Sequence, residues 1–202
     1  AKNRFGSGDE IGIFNMTGEG LEGIKDPASF FISEREGNTL PPGISYTAIT
    51  EGTRTFLVEI QALIVDAKTG YSRVYSDKID SSRVLRVCAI LERHAGIRLA
   101  DKDIYVNVAG GMKVNEVSVE LALALALWSA FSDKELPAKM VSFGELSLAG
   151  EVRPVNYGDR RIKAAYEMGF DKAMVPASMH FESNKVLIKR CQKIRDALTK
   201  NS

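Results

Sequence analysis

The spacing of hydrophobic residues changes several times along this chain, and each change marks an element. Between Thr55 and Asp77, "TFLVEIQALIVDAKTGYSRVYSD" is dominated by β-branched and aromatic residues. That composition predicts two strands, with "DAKTG" as the hairpin loop between them. "GISYTAITE", Gly43 to Glu51, is read as a strand before them. The period then switches. Val84, Val87, Cys88 and Leu91 fall at i, i+3, i+4 and i+7, which is one face of a helix. Asp80 or Ser81 is placed to cap it, and Gly96 stands where a left-handed C-terminal residue belongs. "DIYVNVA" predicts a strand with Ile104, Val106 and Val108 on one face.

"LALALALW" alternates Leu and Ala, but both are strong helix formers and the apolar run is long for a strand. It is read as a buried helix. Downstream, "KMVSFGELSLAGEVRPV" predicts strand, turn and strand. "GDRRIKAAYEMG" predicts a helix ending at Gly169, "KAMVP" a strand ended by Pro176, "NKVLIKRC" a strand and "QKIRDALTK" a last helix. Residues 1–30 are glycine-rich, with turn chemistry in "MTGEG" between two short candidate strands. Asp26 and Pro27 suit the start of a short helical turn. The pattern implies one α/β domain over 31–202 behind an irregular arm over 1–30.

The 202 residues carry a formal net charge of +1, so any nucleic-acid or membrane partner must be held by a local patch. Cys88 and Cys191 lie far apart among apolar neighbours, which suits a reduced, cytoplasmic protein. No signal peptide and no long apolar span is read. No GxxxxGK[ST] loop, CxxC or HExxH occurs; no phosphate loop, zinc site or other cofactor is therefore assigned to the chain. His94 falls in the last turn of a helix and His180 in a loop. The chain opens on "AKNRFG" without Met and is read as a piece of something longer.

Ser118 follows a glycine loop, "NVAGGMKVNEVS", and opens the apolar helix. Two readings stand. Helix-terminal amides stabilise an oxyanion, so Ser118 is a candidate nucleophile; serine is also a common helix cap. The segments that follow resemble the proteolytic domain of the Lon proteases. The match rests on Gly144, Glu145, Leu148, Gly150, Val152 and Pro154, and on the helix and strand after them. By that resemblance Ser118 occupies the nucleophile position and Arg161 the position of the lysine base. Val117 stands where that family has proline. A serine–lysine dyad needs a base that can be neutral near pH 7, and arginine cannot lose its proton. Lys163 lies two residues away, on nearly the opposite side of the helix. The chain is therefore read as a Lon-like domain that cleaves no peptides and is itself no enzyme, with Ser118 as the cap. An active Lon-type serine peptidase is the alternative.

A second resemblance covers nearly the whole chain. "KNRFG" (Lys2, Asn3, Arg4, Phe5, Gly6), "EGTRTFLVEIQALI", "NVAGGMKV" and "FGELSLAGEVRPV" together resemble the RadA (Sms) family of bacterial DNA repair proteins. The resemblance implies a Lon protease C-terminal-like fold of the ribosomal protein S5 domain 2-like type. It also implies a homo-hexameric ring, single-stranded or branched DNA and a recombinase filament as partners, and branch migration driven by ATP in the full-length protein. ATP, Mg²⁺ and Zn²⁺ are expected only in the part preceding this sequence. Lys2 and Arg4 would then couple the ATPase core to DNA.

The residues themselves offer a modest basic patch. Arg153, Arg160, Arg161 and Lys163 cluster in and before one helix, Lys113 lies in the loop before Ser118, and Arg54 and Arg73 flank the expected hairpin. Such cations attract phosphate through Coulomb terms and counterion release. The competing reading pairs the arginines with Glu116, Glu120 or Asp159 and leaves only protein contacts to the domain. Aromatic residues are not interleaved with these basic ones, so base stacking is not expected.

Overall fold

The computed structural model describes residues 31–35, 37–181 and 185–199. The arm, the KNRFG motif and the Asp26–Pro27 turn start lie outside them.

A seven-stranded sheet forms the centre. Its strands are β1 (Ile44–Glu51), β2 (Arg54–Asp66), β3 (Arg73–Ser76), β4 (Lys102–Val108), β5 (Met140–Ser142), β8 (Lys172–Pro176) and β9 (Leu187–Cys191). Between β5 and β8, β6 (Glu145–Leu146) and β7 (Val152–Arg153) form a separate small hairpin. The strand order is β3-β4-β2-β1-β5-β8-β9. Only β2 runs against its neighbours; every other adjacent pair is parallel.

The expected β2–β3 hairpin does not form. β4 inserts between the two strands, antiparallel to β2 and parallel to β3. The turn residues of "DAKTG" permit a reversal, but the cross-strand fit with Ile104 and Val106 decides the partner. Arg54 and Arg73 consequently lie at opposite ends of β2, with Arg73 level with Val65 through Asp103. At about 3.3 Å per residue that is roughly 35 Å along the strand.

Among the described residues four α-helices cover the sheet: α1 (Ser81–Ala95), α2 (Glu120–Ser132), α3 (Gly158–Glu167) and α4 (Ile194–Thr199). α1 starts as expected, with the Asp80 carboxylate accepting from the Ser82 N–H at 3.1 Å, and ends on Gly96 at φ 70°. α2 is buried on every side from Glu120 to Ser129, which explains why its sequence shows no polar face. It packs with α1 and α4 against Val58, Ile60, Ile104 and Val106. α3 packs on the other face, where Ile162 and Ala165 meet Tyr46, Ala48 and Leu57.

Candidate functional site: a buried serine, glutamate and arginine

Ser118 does not cap α2. It sits in a short 3₁₀ turn, Val117–Val119, and the residue preceding α2 is Val119, which makes no side-chain cap. The cap reading is corrected by where the hydroxyl points. Ser118 Oγ donates to Glu116 Oε1 and accepts from Arg161 Nη1 at 3.0 Å. The turn is docked by its backbone: Gly144 N–H donates to the Ser118 carbonyl at 2.9 Å, and Leu121 N–H to the Gly144 carbonyl at 3.0 Å. Ser118 is 2% exposed and Arg161 3%.

Arg161 is the hub. Its Nη1 also donates to Glu116 Oε1 at 2.7 Å and to the Ala48 carbonyl, and its Nε to the Asn156 carbonyl at 2.8 Å. The guanidinium lies over the Phe143 ring at 5.8 Å. The other Glu116 oxygen accepts from Thr50, from the backbone N–H at 3.0 Å and from the hydroxyl at 3.3 Å. Burial pushes the Glu116 carboxyl up, but the hydrogen bonds from Ser118, Arg161 and Thr50 and the Arg161 charge outweigh it. They hold the group below its ordinary value. The serine proton is thus given to a carboxylate that stays ionised, and among the described residues the cation bonded to Ser118 Oγ is a guanidinium, which does not act as a base.

Of the three acidic partners weighed for the arginines, Glu116 takes Arg161. Glu120, fully buried at the start of α2, instead pairs with Arg86, lies 3.8 Å from Arg83, and accepts from the Leu146 N–H at 3.0 Å.

The basic residues separate. Arg160 Nη2 donates to the Gly52 and Arg54 carbonyls at 3.2 and 3.3 Å, and Nε to Thr55 Oγ1 at 3.1 Å. Its guanidinium stacks on Tyr157 at 4.5 Å. Arg160 therefore clamps α3 to the β1–β2 turn and is not a free phosphate ligand. That clamp brings exposed Arg54 beside α3, whose Lys163 is also exposed. Arg153 is exposed on β7 opposite Glu145, Lys113 is exposed in the loop before Ser118, and Arg73 is exposed at the far end of the sheet.

Sequence reasoning missed a second buried pair. Glu59 is fully buried on β2 and accepts two hydrogen bonds from Arg35, both at 2.8 Å, with Gln61 and Ser33 completing its shell. The signal was present: a carboxylate inside "FLVEIQALIV" demands a partner. Among the described residues no group of three His, Cys, Asp or Glu side chains is placed to hold a metal ion. No helix there is long and apolar enough to cross a membrane.

A family model described as subunit ChlI of Mg-chelatase matches residues 75–179, just over half of the chain. DNA repair protein RadA of Treponema pallidum (strain Nichols) is 48% identical over 182 residues, which is 90% of this chain and 40% of that protein. The RadA of Escherichia coli (strain K12) is 44% identical over 177 residues, 88% of this chain and 38% of that protein. The RadA of Aquifex aeolicus (strain VF5) is 41% identical over 197 residues, 98% and 44%. The chain belongs to the ChlI family and is homologous to RadA.

It spans about two-fifths of the length of these relatives. The reading of this chain as no enzyme is corrected by the family match, because the matching model is described as a subunit of an enzyme, Mg-chelatase. The physical error lies in what absences exclude. A missing GxxxxGK[ST] run rules out one type of phosphate loop, and a missing lysine rules out one type of peptidase dyad. Neither rules out a part in an ATP-driven enzyme.

Proposed function

We propose that this chain is the Lon-like, non-proteolytic scaffold and DNA-binding part of a RadA-type ATPase. In this reading the longer protein uses ATP to drive branch migration of recombination intermediates, as a homo-hexameric ring in the cytoplasm. ATP, Mg²⁺ and Zn²⁺ belong to that longer protein. The reading is carried by Arg161. It fills the position where the resembled peptidases place their lysine, and it joins β1, the Glu116 loop and α3 into one rigid unit. A fluorophosphonate probe is expected to leave Ser118 unlabelled, with wild type and Ser118→Ala giving the same background by mass spectrometry. Labelling that depends on Ser118 would restore the peptidase reading.

For DNA, the reading rests on two exposed cations, Arg54 at the β1–β2 turn and Lys163 on α3, the helix that Arg160 ties to that turn. Replacing both by Gln is expected to weaken binding to every sequence alike. The slope of log affinity against log salt should flatten by about 1.4–1.8, at roughly 0.7–0.9 per phosphate contact. Arg160 stays untouched, because its loss would unpin α3. Unchanged affinity and slope would remove this edge from the DNA site and favour a domain making protein contacts only.

A further inference from the structure

The sheet has two unlike faces at its β3–β4–β2 end. One packs under α1 and α2 through Val74, Ile104, Val106 and the even-numbered residues of β2. On the opposite face, register aligns Tyr75 with Tyr105, and Tyr105 with Leu63. Tyr75 and Tyr105 are 42% and 40% exposed, and their rings stack at 4.6 Å with 12° between planes. The next row holds Arg73, Asp103 and Val65. The β2–β3 connection at the same end carries Lys68 and Tyr71, the latter 76% exposed.

We propose that this open face is a stacking platform for single-stranded nucleic acid, distinct from the Arg54–Lys163 edge. β3 carries Arg73 and Tyr75 on one face, and pairing with β4 sets Tyr105 beside Tyr75. Two parallel exposed rings present a π-face on which unpaired bases continue the stack, and every base has such a face. A duplex keeps its bases stacked on one another and cannot use it. Lys68 and Arg73 make no ion pair among the described residues. They stand at the end of the tyrosine row, where a backbone phosphate would pass.

This inference rests on the DNA-binding reading, and the test separates the two. Anisotropy of a labelled oligo(dT), and of a labelled duplex, is measured with the 202-residue chain and two double variants. Tyr75→Ala with Tyr105→Ala is expected to weaken oligo(dT) binding at least about fivefold per ring lost and to leave duplex binding unchanged. Tyr75→Phe with Tyr105→Phe keeps the rings and is expected to bind oligo(dT) nearly as wild type. Thermal melting confirms that each variant is folded. In wild type, ultraviolet cross-linking of a bromodeoxyuridine oligomer is expected to map to Tyr75 or Tyr105, which supports the platform even if the alanine variant fails to fold. Cross-links confined to other residues, or an alanine variant that binds oligo(dT) as wild type does, would overturn the platform while leaving the Arg54–Lys163 edge intact. An alanine variant that changes sedimentation but not oligo(dT) affinity would make the face a protein interface. Wild type that binds neither oligomer would sink both readings.

Discussion

Arg161→Met is expected to lower folding stability by about 3–5 kcal/mol, read by urea denaturation at neutral pH. Breaking a buried ion pair from one side leaves the other charge uncompensated, and that is the dominant cost. Here the loss is wider than one pair. Glu116 keeps its carboxylate in a mostly enclosed site, its side chain 25% exposed. The Ala48 and Asn156 carbonyls each lose a donor, and the Ser118 hydroxyl loses one as well. Partial access of water to Glu116 favours the lower half of the range. Methionine matches the arginine stem in bulk, so cavity formation adds little.

The same pair makes an acid limb. Glu116 holds its proton less tightly when folded than its ordinary value of 4.5. Its contribution is therefore fully present above about 4.5 and fades as pH falls through the depressed folded value. In Arg161→Met that limb should shrink. A loss below about 1 kcal/mol, with the acid limb unchanged, would mean that the guanidinium is not bound as described.

Most elements were legible because they rest on local rules. The Asp80 cap, the αL glycine at 96 and the period of Val84, Val87, Cys88 and Leu91 are properties of adjacent residues. What the sequence hid is set by partners far along the chain. "DAKTG" looks like a hairpin loop, yet β3 pairs with β4, because turn chemistry permits a reversal without choosing the neighbour. Ser118 looks like a cap because serine before an apolar run usually is one. Its hydroxyl is instead claimed by Glu116, two residues back, and by Arg161, forty-three residues on. Arg160 and Arg161 look alike in sequence. One turns to the carbonyls of the β1–β2 turn and the other to the buried serine, a difference set by their separation of about 100° around the helix. The tyrosine pair exists only because β3 aligns with β4. Glu59 was the readable case, a charge in an apolar strand whose partner, Arg35, had no local signal.

Gly43→Ala is expected to cost about 2–5 kcal/mol, and Gly52→Ala far less, although both glycines flank β1 and both have positive φ. Gly43 has φ +91° and Gly52 φ +62°. An L side chain in the left-handed region costs about 1–2 kcal/mol at either site. Around Gly52 a Cβ would meet nothing within 4 Å. At Gly43 it would lie 2.2 Å from the Ala62 carbonyl oxygen. That atom belongs to β2, where Ala62 is paired with Val106 on one side and donates its N–H to the Gly43 carbonyl at 2.8 Å on the other. It has no rotamer to move. Gly43 itself is held from behind, its N–H bonded to Ser129 Oγ near the end of α2 at 2.8 Å. Relief would require β1 to separate from β2 or from α2, which adds an overpacking cost of about 1–3 kcal/mol. Chemical denaturation of the two variants side by side isolates this second cost, since the backbone strain is common to both. Equal losses at the two sites would mean that β1 starts with slack against β2, and that the close packing of α2 on the sheet is not what fixes the loop entering it.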